Sequence, residues 1–337
     1  MHMADALISP QVGGVMLAAA VGAAAYSVRK TQDDMDEKKI PLMGVMGAFI
    51  FAAQMINFTI PGTGSSGHLG GGLLLAAVLG PYAGFLTMAS VLLIQALFFG
   101  DGGLLAYGCN VINLGFWTCF VAYPLIYRRL ARKGLTRKRI FAASMAAAVA
   151  GLQLGAFSVV LETFFSGKTE LHFMAFLLLM QPIHLAIGAV EGLVTSALLA
   201  YVWQARPEIL ENAAGGEAAT GKPARKVLAS LLVAAVLTGG FVSWFASTKP
   251  DGLEWSVQRA AGTAELEEGD RVHGALAALQ GATAILPDYG FKAEQGAASN
   301  AGTSVSGIAG GMLTLALAGL TGISINLFKK RKKTCRR

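Results

Sequence analysis

Charge is what this chain has least of. Of its 337 residues only 14% are Asp, Glu, Lys or Arg, against roughly 25% in a soluble globular domain. With 54% hydrophobic residues beside them, so few charges cannot cover a water-soluble surface, and that class is excluded. Cysteine is scarce as well. Cys109, Cys119 and Cys335 are an odd set without ligand-like spacing, two of them in apolar stretches, so they carry neither a disulfide framework nor a thiolate site. HExxH, a Walker A loop and clustered Cys/His sets are all missing, which leaves no case for a zinc enzyme or for ATP hydrolysis by this chain itself. The opening Met1–Pro10 contains no Lys or Arg and carries Asp5 instead, unlike a secretory signal. The N-terminus is therefore expected to be kept.

What the chain does have is apolar runs of about 17–25 residues, the length that crosses a hydrocarbon core of about 30 Å. They are expected at 10–28, 41–58, a short piece at 69–79, then 82–99, 105–127, 140–164 and a run ending near Trp203, with two more at 227–246 and 305–328. The fold class is all-α, a polytopic integral membrane protein. Residues 1–205 form a seven-helix component, 206–226 a cytoplasmic linker, and 227–337 an accessory domain whose two spans flank an external segment, 247–304. Lys and Arg concentrate in 29–40, 128–139, 204–226 and 329–337, which hold four, seven, four and seven of the 27. Positive residues stay on the cytoplasmic side, so the N-terminus is expected outside and the C-terminus inside. The same bias explains the basic tail, and no nucleic-acid partner is implied.

This topology brings Met1-His2, the His68 loop and the 247–304 segment to one outer face. A free α-amine, the deprotonated amide of His2 and the His2 Nδ1 can close two fused chelate rings on one ion and leave a fourth in-plane position open. Divalent nickel and copper favour such planar nitrogen sets, and cobalt can be forced into one. His68, in the glycine-rich stretch Pro61–Gly72, is the histidine placed to fill the fourth position; the plainer alternative is a solvated loop histidine. Asn110 and Asn113 share one helical face beneath GDGG, Gly100–Gly103. They serve either as supporting groups that hold the outer loops and orient His68 or as hydrogen-bonded helix glue. His184, Gly188 and Glu191 share another face, where Glu191 must be protonated or paired. A structural polar network is the favoured reading there, with metal transit as the alternative.

A different class of function competes. Gly64-Ser65-Ser66-Gly67 resembles the G-x-S-G signature of rhomboid-type intramembrane serine proteases, which would require His184 as base and Asn110 in an oxyanion hole. Gly and Ser are common in any turn, so this pattern is a weak signal.

Four segments in order, MHMADALISP (Met1–Pro10), NFTIPGTGSSGHLGGG (Asn57–Gly72), GDGGLLAYGCNVINLG (Gly100–Gly115) and HLAIGAVEGLVTSALL (His184–Leu199), resemble the CbiM/NikM-type substrate-specific components of nickel and cobalt energy-coupling-factor transporters. PDGLEWSV (Pro250–Val257) resembles the PDGLE accessory domain that some members carry fused. The resemblance implies metal binding near the outer surface through Met1, His2 and His68, with Ni2+ or Co2+ as transported substrate and no cofactor. It also implies a separate transmembrane coupling component and cytoplasmic ATP-binding-cassette ATPases as partners, in the cytoplasmic membrane of a prokaryote. Small residues of the first span, Ala18, Gly22 and Ala25, would then face the coupling component.

Overall fold

The computed structural model describes residues 2–34, 37–132, 134–213, 225–263, 266, 270–292 and 299–334. Helices dominate because the apolar runs are built from Ala, Leu, Val, Met and Phe with Gly or Pro at their edges, and because a backbone in lipid must satisfy its own hydrogen bonds. In chain order they are α1 (Pro10–Asp34), α2 (Lys39–Gln54), α3 (Gly72–Leu79), α4 (Pro81–Phe99), α5 (Tyr107–Ala131), α6 (Arg137–Phe165) and α7 (Phe173–Ala205). They continue with α8 (Pro207–Ala213), α9 (Arg225–Gly240), α10 (Gly252–Ala261), α11 (Arg271–Thr283) and α12 (Asn300–Thr334). Between α2 and α3, β1 (Phe58–Ile60) and β2 (Ser65–Gly67) form an antiparallel hairpin with Thr59 opposite Ser66.

Every expected apolar run contains a helix, but the helices differ in reach. Among the described residues six helices are long and apolar enough to cross a membrane: Pro10–Gln32, Pro81–Phe99, Tyr107–Ala131, Arg137–Phe165, Phe173–Ala205 and Asn300–Arg331. The runs expected at 41–58, 69–79 and 227–246 make shorter helices of 16, 8 and 16 residues. The reason for the first two is burial. All of α3 and α2 from Leu42 to Gln54 lie inside the protein, so neither needs the length that contact with lipid demands. Phe51, Phe85, Phe99 and Phe176 are among the largest fully buried side chains of the core. Outside it, Val15, Val21 and Tyr26 of α1 are exposed, as are Ala18, Gly22 and Ala25.

The two parts of the chain pack together. Helix α12 lies along α2 and α9, and α10 against α7. The segment after α9 follows the β-hairpin, with the Ser247 amide donating to Asn57 O at 2.7 Å and the Ser66 amide to Pro250 O at 2.8 Å. Helices α10 and α11 thus come to rest over the end of the bundle that carries the hairpin and the N-terminal segment.

Candidate metal site

The N-terminal segment, the glycine loop and the Gly100–Gly103 loop meet at this end, and the first two are fastened by buried polar side chains from helices. The N-terminal segment is held by Asn110, whose Oδ1 accepts the Met3 amide at 2.7 Å while its Nδ2 donates to Met3 O at 3.2 Å. Asp5 accepts the Ala106 amide at 2.9 Å, and the Gly103 amide donates to Met3 O at 2.8 Å. Residue 103 must be glycine for this approach, because a Cβ there would fall on the Asp5 carboxylate. Asn113 donates to Glu162 Oε2 at 2.8 Å and lies 3.5 Å from Met3 Sδ. Both asparagines therefore address Met3. The glycine loop is fastened by Glu191, which accepts the Gly70 amide at 2.7 Å and the Gly71 amide at 3.1 Å. Gln54 holds the other side of the loop through Gly70 O at 2.8 Å.

These fastenings bring His2 and His68 face to face. Their rings stack with centroids 4.8 Å apart and planes 6° from parallel, and both are nearly enclosed, at 6% and 7% side-chain exposure. Met1 lies outside the described residues. His68 Nδ1 is 3.1 Å from Leu69 O; a carbonyl only accepts, so Nδ1 carries the proton and Nε2 presents its lone pair. Burial, together with positive charge nearby, pushes the His68 imidazole down to about 3. The ring is thus neutral, as a ligand must be.

His2 Nδ1 faces Asp101 Oδ1 at 3.2 Å, and its Nε2 is buried without a hydrogen-bond partner. Burial alone would raise the Asp101 carboxyl. The His2 ring and the Tyr289 hydroxyl beside it instead hold it well below the usual carboxylate range. On the other side of the pair, Asp251 Oδ2 stands 3.8 Å from His68 Nε2. His2 and His68 open onto a cavity of about 700 Å³ whose wall includes Asp101, Asp251, Glu254 and Asp288, an acidic lining that concentrates cations. Among the described residues no three His, Cys, Asp or Glu side chains gather as a ligand cage, so the two imidazoles need main-chain or other donors to complete a coordination shell.

The residues of the protease reading are otherwise engaged. Ser66 Oγ donates to Lys249 O at 2.7 Å, Asn110 is committed to Met3, and His184 Nδ1 lies 2.8 Å from Met180 O. His184 Nε2 is buried and without a partner, in the wall of a narrow cavity shared with His68 and Asp251. Of the residues that build this site, Asp101, Glu162, Asp251 and Tyr289 were not singled out from the sequence. The only sequence signals for the two aspartates were their places in GDGG and PDGLE.

The sequence profile described as the cobalt uptake substrate-specific transmembrane region matches residues 2–209, and that of the PDGLE domain matches residues 225–327. The chain belongs to the cobalt uptake substrate-specific family. Its fused organisation also has relatives. The putative fused nickel transport protein NikMN of Archaeoglobus fulgidus is 33% identical over 94% of this chain and 96% of its own length. The cobalt transport protein CbiM of Sorangium cellulosum is 30% identical over 55% of this chain and 81% of its own. A crystal structure of a truncated transition metal transporter is 31% identical with a TM-score of 0.54, covering 60% of this chain and 99% of that one. As a family member with six apolar helices of membrane-crossing length among its described residues, the chain is a multi-pass membrane transport protein.

Proposed function

We propose that the chain is the substrate-binding membrane component of an ATP-driven importer of divalent nickel or cobalt, with the outer face carrying the site. The carrying observation is the enclosed, parallel His2–His68 pair at the meeting of three loops beside an acid-lined cavity. The ligands are the Met1 amine, the His2 amide nitrogen, His2 Nδ1 and His68 Nε2. For Nδ1 to enter the chelate, the His2 ring makes a half-turn about Cβ–Cγ. That turn preserves the ring plane and its stacking on His68, and it takes Nδ1 away from Asp101. Asn110 acts as the support that fixes the N-terminal segment through Met3, with Asn113 behind it.

A planar nitrogen set favours nickel; relatives are described as nickel and as cobalt transport proteins, and both ions are substrates to test. ATP hydrolysis belongs to separate ATP-binding-cassette subunits, reached through a membrane coupling component for which the exposed small residues Ala18, Gly22 and Ala25 of α1 leave room. The location is the cytoplasmic membrane of a prokaryote, N-terminus outside. Titration of the purified chain with Ni2+ and Co2+ tests the site. Tight one-to-one binding is expected, and it should vanish when one residue is added before Met1 or when His2→Ala or His68→Ala is introduced. Unchanged affinity in either histidine variant refutes the site.

A further inference from the structure

A tyrosine of the accessory segment stands one hydrogen bond away from the carboxylate that faces His2. After α11 the chain docks on the end of α4, where the Leu286 amide donates to Phe98 O at 3.2 Å, and then turns through Pro287–Tyr289. The turn sets the Tyr289 ring on Phe99, with centroids 5.1 Å apart and planes 21° from parallel, and edge-on to Phe51 at 6.1 Å. With the ring held in this way, its hydroxyl donates to Asp101 Oδ2. The other oxygen of that carboxylate faces His2 Nδ1 at 3.2 Å. Side chains from three separate parts of the chain thus stand in line: Tyr289, Asp101, His2.

The donors fix the direction of this line. Gln95 Nε2 lies 3.4 Å from the Tyr289 oxygen, and an amide nitrogen only donates. The hydroxyl therefore accepts from Gln95 and spends its own proton on Asp101, which occupies Oδ2 and leaves Oδ1 for the imidazole. The backbone agrees. Asp288 and Tyr289 have φ of 50° and 60°, values that are outliers for a bulky side chain and that persist where the surroundings over-determine a position. Here those surroundings are Phe98, Phe99 and Asp101.

Ion binding gives the line its use. His2 Nε2 is buried without a hydrogen-bond partner. The half-turn that brings Nδ1 into the chelate exchanges the two edges of the ring, so Nε2 passes to the edge that faces Asp101. A ligating imidazole is commonly oriented by a carboxylate on its other nitrogen, and Asp101 stands where it can be that carboxylate. We infer that Tyr289 is a positioning residue of the ion site: its hydroxyl aims Asp101 at His2, so that the accessory segment orients a ligand carried by the N-terminal segment. This rests on the nitrogen site proposed above.

The test is a double-substitution cycle on the full chain with Ni2+ alone, titrated against a competing chelator. Tyr289→Phe keeps the ring that stacks on Phe99 and removes only the hydroxyl. It is expected to weaken Ni2+ binding roughly fivefold, on the order of what one hydrogen bond contributes, and Asp101→Asn about ten- to a hundredfold. Because the hydroxyl acts through Asp101, the double variant should bind no more weakly than Asp101→Asn alone, a non-additivity that loosened packing of the segment does not produce. Wild-type affinity in Tyr289→Phe, or losses that add in the double variant, would overturn the inference. His2→Ala separates the two levels. If it binds as wild type does, the nitrogen site falls and this inference with it; if it loses binding while Tyr289→Phe does not, only the present inference falls.

Discussion

One carboxylate, with Gln54 on the other side of the loop, sets where His68 stands. Glu191, on α7, spends both oxygens on consecutive amides of the glycine loop, Gly70 and Gly71, and the loop reaches His68 two residues earlier. A glutamine offers one oxygen, and its NH2 would face the second amide, leaving a buried donor unpaired at a cost of about 1–3 kcal/mol. Glu191→Gln is therefore expected to lower the thermal midpoint and weaken Ni2+ binding, read from a melting curve in detergent and a chelator competition. The need for a partner was legible in the sequence, because an acidic residue in an apolar helix is costly. The partner was not, since it is a pair of backbone amides about 120 residues away that no side-chain pattern announces. Asn110 is similar. Its place beneath GDGG suggested a supporting role, and the fold gave it the main chain of Met3 to hold.

At the scale of elements, α11 acts as a clasp on the N-terminal turn. His273 Nε2 lies 3.0 Å from Asp5 O and 2.9 Å from Ile8 O, while Nδ1 lies 3.0 Å from Asp270 Oδ1. Two carbonyls at Nε2 and a carboxylate beside Nδ1 favour the protonated ring. Burial lowers the His273 pKa, but the Asp270 carboxylate and the two carbonyls outweigh it and the net shift is upward. A raised folded-state value means that the clasp contributes fully below the unfolded value of about 6.5 and is lost as pH climbs through the folded one. The thermal midpoint of the full chain should therefore fall as pH rises above about 6.5, and His273→Asn should flatten that part of the profile. A second clasp is Gln280, which donates to Ala96 O at 2.9 Å and Gly102 O at 2.8 Å. Neither was visible in the sequence, where 247–304, apart from PDGLEWSV, reads as a mostly polar stretch between two apolar runs.

At the scale of the whole molecule, the distribution of positive residues predicts which face looks outward. In a chain whose native cysteines are replaced by serine, Glu170→Cys should react with a membrane-impermeant thiol reagent in intact cells, and Arg132→Cys only after permeabilisation. The reverse pattern would invert the topology and put the histidine pair on the cytoplasmic face. The end of the bundle that carries His2 and His68 also carries Asp101, Asp251 and Tyr289, so one accessibility experiment orients all of them.

The sequence by itself determined that the chain is helical and lives in a membrane, because hydropathy and charge are properties of composition and order and need no tertiary contact. It also marked His2, His68 and the two asparagines, because glycine-rich loops and polar residues in apolar helices stand out locally. Only the tertiary structure decided which apolar runs are buried and therefore short, since burial removes the length requirement that lipid imposes. It likewise decided that Asp101, Asp251 and Tyr289 surround the histidine pair. Carboxylates scattered over about 150 residues carry no shared pattern along the chain, and only packing of the accessory segment onto the bundle brings them together.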